Sequence, residues 1–229
     1  MLHADVVVFD FDLTLTRWET AARFFKAALR AQPWRMAVVV LAAPVLLPLL
    51  ALRRTRRLPV RFAVWMATFG RSGTQLDRLA QAQAHADAVF AAGEPVFIED
   101  AVACLRTHLA NGDRVVIATG CWEPLARALL ARGGLADVPL VASTLRPWLG
   151  GWVSDQHCLG PNKIPLLTAR GYPPPWAMAY TDHHADLPLL RNSVQWCLVS
   201  PKPGCVRRIE QALQVRASIL PWRGQAAVR

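Results

Sequence analysis

Lysine is scarce in this chain of 229 residues, and acidic side chains are few. The lysines are Lys26, Lys163 and Lys202, and 26 Lys and Arg stand against 16 Asp and Glu, so the net charge of +10 comes almost entirely from arginine. Charged residues make up 18% of the chain and apolar residues 53%, which excludes a disordered chain. The arginine excess favours a partner that carries phosphate: nucleic acid, anionic lipid or a phosphorylated substrate.

The five cysteines are odd in number, and no two are spaced as a CxxC pair. No secretory signal precedes them, since the strand-like run Asp5-Val-Val-Val-Phe-Asp10 begins almost at once. We therefore expect free thiols, a reducing compartment and no targeting peptide. A chain of this length can bury a core without disulfide or metal staples, either as one domain or as a core with one insertion.

Strand-like apolar runs alternate with helical patterns in the second half of the chain, which predicts an α/β fold with a parallel sheet. The predicted strands are residues 114–119, 177–181 and 195–199, with a helix at 123–132 and a hairpin or tight turn at 148–153, near the sheet edge.

Residues 17–98 have mostly helical patterns and no convincing strand. We predict that they form an inserted all-helical cap. The core would then comprise residues 1–16 and 99–220, followed by a loose tail at 221–229.

Residues 36–52 are seventeen uncharged residues between arginine-rich flanks, with Trp34 and Trp65 near the ends. This pattern favours membrane association over a buried helix. At roughly 25 Å the run is shorter than the ~30 Å hydrocarbon core, and Pro44 and Pro48 interrupt it. A single crossing would also separate the two halves of one site. We therefore expect a re-entrant or interfacial segment with cytoplasmic ends and an apex near the prolines. Arg53, Arg54, Arg56 and Arg57 are candidates for contact with lipid headgroups, or a solvated turn.

Two carboxylates follow the first strand, in Asp10-Phe-Asp12-Leu-Thr14. In an extended segment, Asp10 and Asp12 point to the same face, where one can attack and the other can give and take a proton. Like charges this close imply a cation between them, and oxygen ligands suit Mg²⁺. Taken alone, the string is also compatible with a polar strand end without a catalytic role.

Four short motifs in fixed order resemble those of the haloacid dehalogenase (HAD) phosphatase superfamily, which implies a Rossmann-like core. The motifs are Asp10-Phe-Asp12-Leu-Thr14, Thr119 at the end of a strand, Lys163 in Cys158-Leu-Gly-Pro-Asn-Lys163, and the D-x-x-x-D pair Asp182 and Asp186.

The resemblance implies a role for each matched residue. Asp10 would be the nucleophile that forms an aspartyl-phosphate, and Asp12 would protonate the leaving oxygen and then activate water. Thr119, the Gly120 backbone N–H and Lys163 would bind the phosphoryl oxygens.

The resemblance also implies Mg²⁺, held by Asp10, the Asp12 carbonyl and Asp182, with Asp186 in support. Leu13 departs from the family pattern, because many relatives have glycine after the second aspartate.

A zinc site is an alternative at His183-His184, beside these acidic residues. No cysteine or third ligand is close to the pair along the chain, so the sequence does not favour it. The other histidines (His3, His85, His108 and His157) are expected to be ordinary surface or core residues.

A helical cap between the first two motifs is typical of the phosphoserine-phosphatase-like branch. Within it, Trp65-Met-Ala-Thr-Phe-Gly70 and Gly150-Gly-Trp-Val153 are similar to the phosphatidylglycerophosphatase C group. This likeness implies removal of the terminal phosphate of phosphatidylglycerophosphate at the cytoplasmic face of the inner membrane, in phospholipid biosynthesis. The expected partners are a phosphorylated lipid or small molecule and an anionic membrane surface.

Three alternative functions differ from this predicted lipid phosphatase. A phosphatase of a soluble metabolite such as phosphoserine would not need the apolar, arginine-flanked cap. A catalytically dead membrane-binding module would have lost the nucleophile or the lysine, yet Asp10 and Lys163 are present. Nucleic-acid binding would explain the charge but not the apolar run, and we expect none. The sequence leaves the oligomeric state open.

Overall fold

The computed structural model of the chain describes residues 5–51, 55, 57–90 and 95–222. In these residues the first strand, β1 (Val6–Phe9), is followed by four helices: α1 (Thr20–Arg30), α2 (Pro33–Ala51), α3 (Arg57–Thr68) and α4 (Gly73–Phe90). The elements that come next are α5 (Glu99–Ala110), β2 (Arg114–Trp122), α6 (Glu123–Arg132), β3 (Leu140–Ser143), β4 (Leu145–Trp148) and β5 (Gly151–Ser154). The last ones are α7 (Lys163–Ala169), β6 (Trp176–Thr181), α8 (Leu187–Arg191), β7 (Ser193–Val199), α9 (Pro203–Leu213) and β8 (Ile219–Leu220).

Six of the described strands form one sheet in the order β3-β2-β1-β6-β7-β8, and every neighbouring pair is parallel. Val7, Val8 and Phe9 of β1 are all buried, because side chains on both faces of the sheet pack into apolar clusters. The predicted α/β fold with a Rossmann-like parallel sheet is confirmed. Strands β2 and β3 lie on one side of β1, and the later strands β6, β7 and β8 lie on the other side. This change of direction beside β1 opens a crevice beyond the carboxyl ends of the central strands.

The predicted turn at 148–153 is a hairpin, in which β4 pairs antiparallel with β5. Leu149 and Gly150 both have positive φ, at 43° and 76°, as a tight two-residue hairpin turn requires. The two strands form a separate sheet instead of extending the main one. Helix α3 packs on this hairpin, and Gly151 is essential there because a Cβ would lie 2.7 Å from the Trp65 ring.

The helices between β1 and α5 leave and rejoin the sheet domain at one point. Thr16 forms an isolated bridge with Phe97, and the backbone N–H of Ile98 donates to the Leu15 carbonyl at 2.9 Å. Helix α4 packs on α6 and adds buried side chains to the apolar cluster on that face of the sheet. These side chains are Leu76, Ala80 and Ala84. The division into cap and core domains stays a prediction.

The apolar run forms one continuous helix, α2, which passes through Pro44 and Pro48. The expected apex at the prolines is therefore wrong, because α2 continues to Ala51 and the next described helix, α3, begins at Arg57. Each proline removes one helical hydrogen bond without ending the helix. No single helix among the described residues is long and apolar enough to cross a membrane. Helix α1 and the first part of α2 have the required length and composition only together, and they are bent by 107°.

Arg35 and Trp65 connect α2, α3 and the β4–β5 hairpin through hydrogen bonds. Arg35 is 3% exposed, and its guanidinium donates to the carbonyls of Ala67 and Phe69 at the end of α3. Trp65 donates through Nε1 to the Trp148 carbonyl at 3.1 Å. Arg35 thereby satisfies carbonyl groups that the end of α3 leaves without helical partners.

The opposite side of α2 is apolar and faces outward. Its exposed residues are Val40 (63%), Leu41 (80%), Val45 (70%) and Leu47 (61%). Trp34 at the start of the helix is also exposed. Of the four candidate headgroup-binding arginines, Arg57 is exposed at the start of α3, whereas Arg53, Arg54 and Arg56 lie outside the described residues. Most of the expected tail, residues 223–229, lies outside them as well.

Candidate active site

The predicted acidic residues meet where the central strands end. Asp10 directly follows β1 and Asp182 directly follows β6, the neighbouring strand. The backbone N–H of Asp10 donates to the Tyr180 carbonyl at 2.9 Å, which fixes the two strand ends relative to each other. A cavity of about 400 Å³ opens here, lined by Asp10, Asp12, Thr119, Gly120, Asp182 and Asp186 among others.

Lys163 connects two of these carboxylates. Its Nζ lies 2.7 Å from Asp10 Oδ1 and 2.7 Å from Asp186 Oδ2, and the side chain is fully buried. The turn before Lys163 depends on Gly160, which has φ +57° and approaches the Ala185 carbonyl so closely that a Cβ would lie 3.1 Å from its oxygen. Glycine is therefore required to bring α7 against the loop that carries Asp186.

The electrostatics of this group follow from its burial. The charges of Asp10 and Asp186 raise the pKa of Lys163 even though burial opposes it, so the ammonium stays charged. Burial raises the pKa of Asp10 to about 8; the Lys163 ammonium opposes this rise, and the nearby Asp186 and Asp182 charges add to it. Thr181 Oγ1 also donates to Asp186 Oδ2, at 2.8 Å. The result is a rigid, buried cluster with more negative than positive groups.

Asp12 is held by the first residue of the inserted helices. The backbone N–H and the hydroxyl of Thr20 both donate to Asp12 Oδ1, at 2.9 Å and 2.6 Å. Burial raises the pKa of Asp12, and these two hydrogen bonds lower it. Thr20 Oγ1 also lies 3.1 Å from Cys121 Sγ. No spacing rule links positions 12 and 20, so sequence reasoning missed Thr20.

The segment after Asp10 is a turn and not the extended strand end that the sequence predicted. Asp12 still reaches the same cavity as Asp10. Leu13 has φ +60°, a left-handed conformation that glycine adopts without strain. Leu13, which stands where many relatives have glycine, thus adopts a backbone conformation that glycine would adopt more easily.

Thr119 and Gly120 form the opposite wall, near the carboxyl end of β2. The Thr119 hydroxyl accepts a hydrogen bond from the Cys121 backbone N–H at 2.9 Å. The proton of the Thr119 hydroxyl therefore points away from the Cys121 N–H. The hydroxyl and the neighbouring Gly120 N–H are donors of the kind that bind phosphoryl oxygens.

The carboxylates of this site fit a divalent cation. Asp186 Oδ1 is buried and has no hydrogen-bond partner among the described residues, so a cation or a water bound to it would satisfy it. Positive charge would also offset the repulsion that Asp182 and Asp186 exert on Asp10. An all-oxygen donor set suits Mg²⁺, which Asp10, Asp182 and the Asp12 carbonyl would hold.

Other residues of the cavity were not singled out from the sequence. Glu19, Lys202 and His157 also line it. His157 was expected to be an ordinary residue, but β5 leads directly to this position at the rim. Burial and the positive charge of Arg57 lower its pKa.

Solved structures with the same fold include phosphatases. A protein of unknown function from Bordetella pertussis Tohama I is 20% identical, with a TM-score of 0.67, over 95% of this chain and 98% of that one. A substrate-bound phosphoserine phosphatase is 13% identical, with a TM-score of 0.59, over 96% and 94%. A phosphoserine phosphohydrolase-like protein from Francisella tularensis subsp. tularensis SCHU S4 is 13% identical, with a TM-score of 0.61, over 94% of each. At these identities the likeness establishes the fold.

The family itself is established by a sequence model. Residues 7–191 match the model of the haloacid dehalogenase-like hydrolases. This range begins within β1 and ends with α8, so it includes Asp10, Thr119, Lys163 and Asp182. The prediction that the chain is an enzyme of the hydrolase class is confirmed. The chain belongs to the haloacid dehalogenase-like hydrolase family.

Proposed function

We propose that the protein is a Mg²⁺-dependent phosphomonoester hydrolase that works through an aspartyl-phosphate on Asp10. The observation that carries this proposal is the buried Lys163 ammonium, 2.7 Å from both Asp10 and Asp186, two carboxylates that line the cavity. The Lys163 ammonium counteracts the effect of burial on Asp10, and Mg²⁺, when bound, would add further positive charge, so both favour the ionised, nucleophilic form of this carboxylate.

In the first half of the reaction, a carboxylate oxygen of Asp10 attacks phosphorus while the bond from phosphorus to the leaving oxygen breaks. Because Lys163 holds Oδ1, we assign the attack to Oδ2. Asp12, as the carboxylic acid, gives its proton to the leaving oxygen. The Thr119 hydroxyl, the Gly120 N–H and Lys163 stabilise the phosphoryl oxygens.

In the second half, the Asp12 carboxylate takes a proton from water as the water oxygen attacks phosphorus. The bond between phosphorus and Asp10 breaks, which releases inorganic phosphate and restores the Asp10 carboxylate. Mg²⁺, when bound, would supply positive charge to the phosphoryl oxygens. The two hydrogen bonds from Thr20 keep Asp12 in one orientation through both half-reactions.

For the substrate, we propose phosphatidylglycerophosphate presented at the cytoplasmic face of the inner membrane. The outward apolar side of α2 supports this choice, since four aliphatic side chains on it are more than half exposed. A second apolar surface lies between α3 and the β4–β5 hairpin, a groove of about 560 Å³ with Arg61 at its edge. Its apolar lining residues are Leu58, Phe62, Trp65, Trp148, Leu149 and Val153.

A soluble phosphorylated metabolite such as phosphoserine is the second candidate. The phosphoserine phosphatases among the solved structures favour it, although their low identity carries only the fold. The two candidate substrates predict different roles for α2. A lipid substrate explains the exposed aliphatic side chains of α2, whereas a soluble substrate gives these side chains no role.

A substrate panel tests the proposal. Purified protein with Mg²⁺ is given phosphatidylglycerophosphate in phosphatidylglycerol vesicles, phosphoserine, and para-nitrophenyl phosphate. We expect the highest kcat/KM on the vesicle substrate. A higher kcat/KM on phosphoserine would favour the second candidate, and no hydrolysis of any phosphomonoester would overturn the phosphatase itself.

A matched pair of variants tests the role of α2. Leu41→Ser with Val45→Ser removes two exposed aliphatic side chains from α2, whereas Val194→Ser with Val215→Ser removes two from elsewhere on the surface. We expect only the first pair to lower vesicle flotation and hydrolysis of the vesicle substrate, with para-nitrophenyl phosphate hydrolysis unchanged. Equal behaviour of the two pairs would contradict a membrane role for this helix.

A further inference from the structure

Two adjacent histidines and a cysteine that follows them much later in the sequence lie together beside the active site. His183 and His184 follow Asp182 in the loop after β6, and Cys205 lies in the first turn of α9. His184 Nδ1 is 3.3 Å from Cys205 Sγ, and one ligand atom from each of the three residues lies within 4.8 Å of the others. The sequence offered no cysteine near the histidine pair, and the fold supplies one.

The ligand chemistry of this cluster differs from that of the carboxylates. Imidazole nitrogen and thiolate sulfur are the ligands that Zn²⁺ prefers, at roughly 2.0–2.1 Å and 2.3 Å. Tetrahedral coordination at these lengths places nitrogen and sulfur about 3.6 Å apart. The distance between His184 and Cys205 is already close to that value, so His183 is the residue that has to approach.

The hydrogen bonds of His183 allow its ring to approach His184 and Cys205. Its Nδ1 accepts from the Ala185 backbone N–H at 3.0 Å, which leaves Nε2 as its ligand atom. The His183 side chain is exposed, and its ring centre lies 4.1 Å from that of His184. A rotation of an exposed ring therefore completes a set of three ligands.

Two positive side chains border the cluster. Arg208 Nη1 lies 3.1 Å from His184 Nε2, and Lys202 is near His183. With a metal on Nδ1, His184 would carry its proton on Nε2, and the exposed Arg208 side chain would turn outward. Positive charge weakens cation binding but stabilises a thiolate, and the thiolate is the form of cysteine that binds metal.

We propose that His183, His184 and Cys205 form a Zn²⁺ site whose ligands are distinct from the carboxylates, although His183 also lines the catalytic cavity. Three protein ligands leave a fourth position to water. The site begins one residue after Asp182, so an ion here would fix the loop that carries Asp182 and Asp186.

Cobalt spectroscopy tests the proposal without any assay of activity. Co²⁺ replaces Zn²⁺ and shows a thiolate-to-cobalt charge-transfer band only when cysteine is a ligand. We expect untagged protein to develop this band with one Co²⁺ per chain and to lose it on addition of Zn²⁺. Carboxylate ligands give no such band, so Asp182→Asn should retain it.

Single substitutions assign the ligands. Cys205→Ser should lose the band, and Cys197→Ser, at a partly buried cysteine of β7 that does not belong to the cluster, should retain it. Because Cys205 is buried, His183→Gln at the exposed position gives a second test that does not disturb packing, and it should weaken Co²⁺ binding. The proposal is overturned if the wild-type protein shows no charge-transfer band, if Cys205→Ser keeps it, or if His183→Gln binds Co²⁺ as the wild type does.

Discussion

Thr20 holds Asp12 with two hydrogen bonds, one from its hydroxyl at 2.6 Å and one from its backbone N–H at 2.9 Å, both to Oδ1. Thr20 opens α1, the first helix of the insertion, whereas Asp12 belongs to the turn after β1. The insertion therefore positions the proposed acid and base directly.

Thr20→Val removes the hydroxyl from a fully buried position and keeps the shape of the side chain. A hydrogen bond to a charged group contributes about 1.5–3 kcal/mol, so we expect kcat to fall by roughly tenfold to a hundredfold. The hydroxyl lowers the pKa of Asp12, so its loss raises that pKa, and the limb of the pH–rate profile governed by Asp12 moves to higher pH. Thr20→Ser retains the donor and should restore both properties. An unshifted limb in Thr20→Val would contradict the assignment.

Asp10→Asn replaces the proposed nucleophile with an amide that cannot attack phosphorus. We expect kcat to fall by about 10⁴-fold or more, with the circular dichroism spectrum unchanged. Asp77→Asn, an exposed aspartate on α4, is the matched control and should have wild-type activity. An Asp10→Asn enzyme that kept a substantial share of the activity would exclude an aspartyl-phosphate.

Lys163→Met removes the cation from a buried cluster and leaves Asp10 without its partner. We expect the free energy of unfolding at neutral pH to fall by about 3–5 kcal/mol, with loss of activity. Without Lys163 the pKa of Asp10 in the folded state rises further above its ordinary value of 3.8. Beside Lys163 the pKa of Asp10 is already raised to about 8, so the wild type and the variant lose this contribution to stability equally between the unfolded pKa and about pH 8. They differ only as the pH rises through about 8, so the deficit measured by urea unfolding should be larger at about pH 9 than at about pH 6. The exposed Lys26→Met is the control, and an equal deficit at both pH values would contradict this electrostatic account.

Removal of the divalent cation tests the carboxylate site. We expect chelator to abolish hydrolysis and Mg²⁺ to restore it. Asp182→Asn should raise the Mg²⁺ concentration for half-maximal activity by at least about tenfold, since even indirect supports of a metal contribute that much. The exposed Asp137→Asn should leave it unchanged. Full activity in excess chelator would exclude a cation cofactor.

Replacement of Arg53, Arg54, Arg56 and Arg57 by glutamine tests the proposed headgroup contacts. Each arginine near an anionic surface contributes about 1 kcal/mol, and salt screens this attraction. We expect the quadruple variant to lose activity on vesicles far more than on para-nitrophenyl phosphate, measured side by side. High salt should release the wild-type protein only in part, because apolar insertion persists. Equal losses on both substrates would count against headgroup contact.

The parallel sheet was predictable because its strands are buried on both faces and read as continuous apolar runs, such as Val115–Ala118 in β2. The meeting of Asp10, Thr119, Lys163 and Asp182 followed from their order in the chain and from the convergence of strand ends in such a sheet. For these residues, the local hydrophobic pattern and the order of the family's motifs were enough to predict the site.

What the sequence could not predict depends on contacts between distant segments. Thr20 and Cys205 become relevant only once α1 and α9 are docked, and neither has a spacing that marks it. Arg35 precedes the apolar run in the sequence, and nothing in the pattern marks it as the residue that binds the carbonyls at the end of α3. The prolines of α2 did not act as turn signals, because each one removes a single helical hydrogen bond and the helix continues through both.

The bridge between Thr16 and Phe97 has a consequence for chain architecture. Because the two ends of the insertion are hydrogen-bonded neighbours, a short linker could join them and excise four helices without stretching the backbone. Excision would nevertheless uncover the face of α6 on which Leu76, Ala80 and Ala84 pack. It would also release the carboxylate that Thr20 holds. In connectivity the insertion is a detachable module, but in packing and chemistry it is part of the hydrolase.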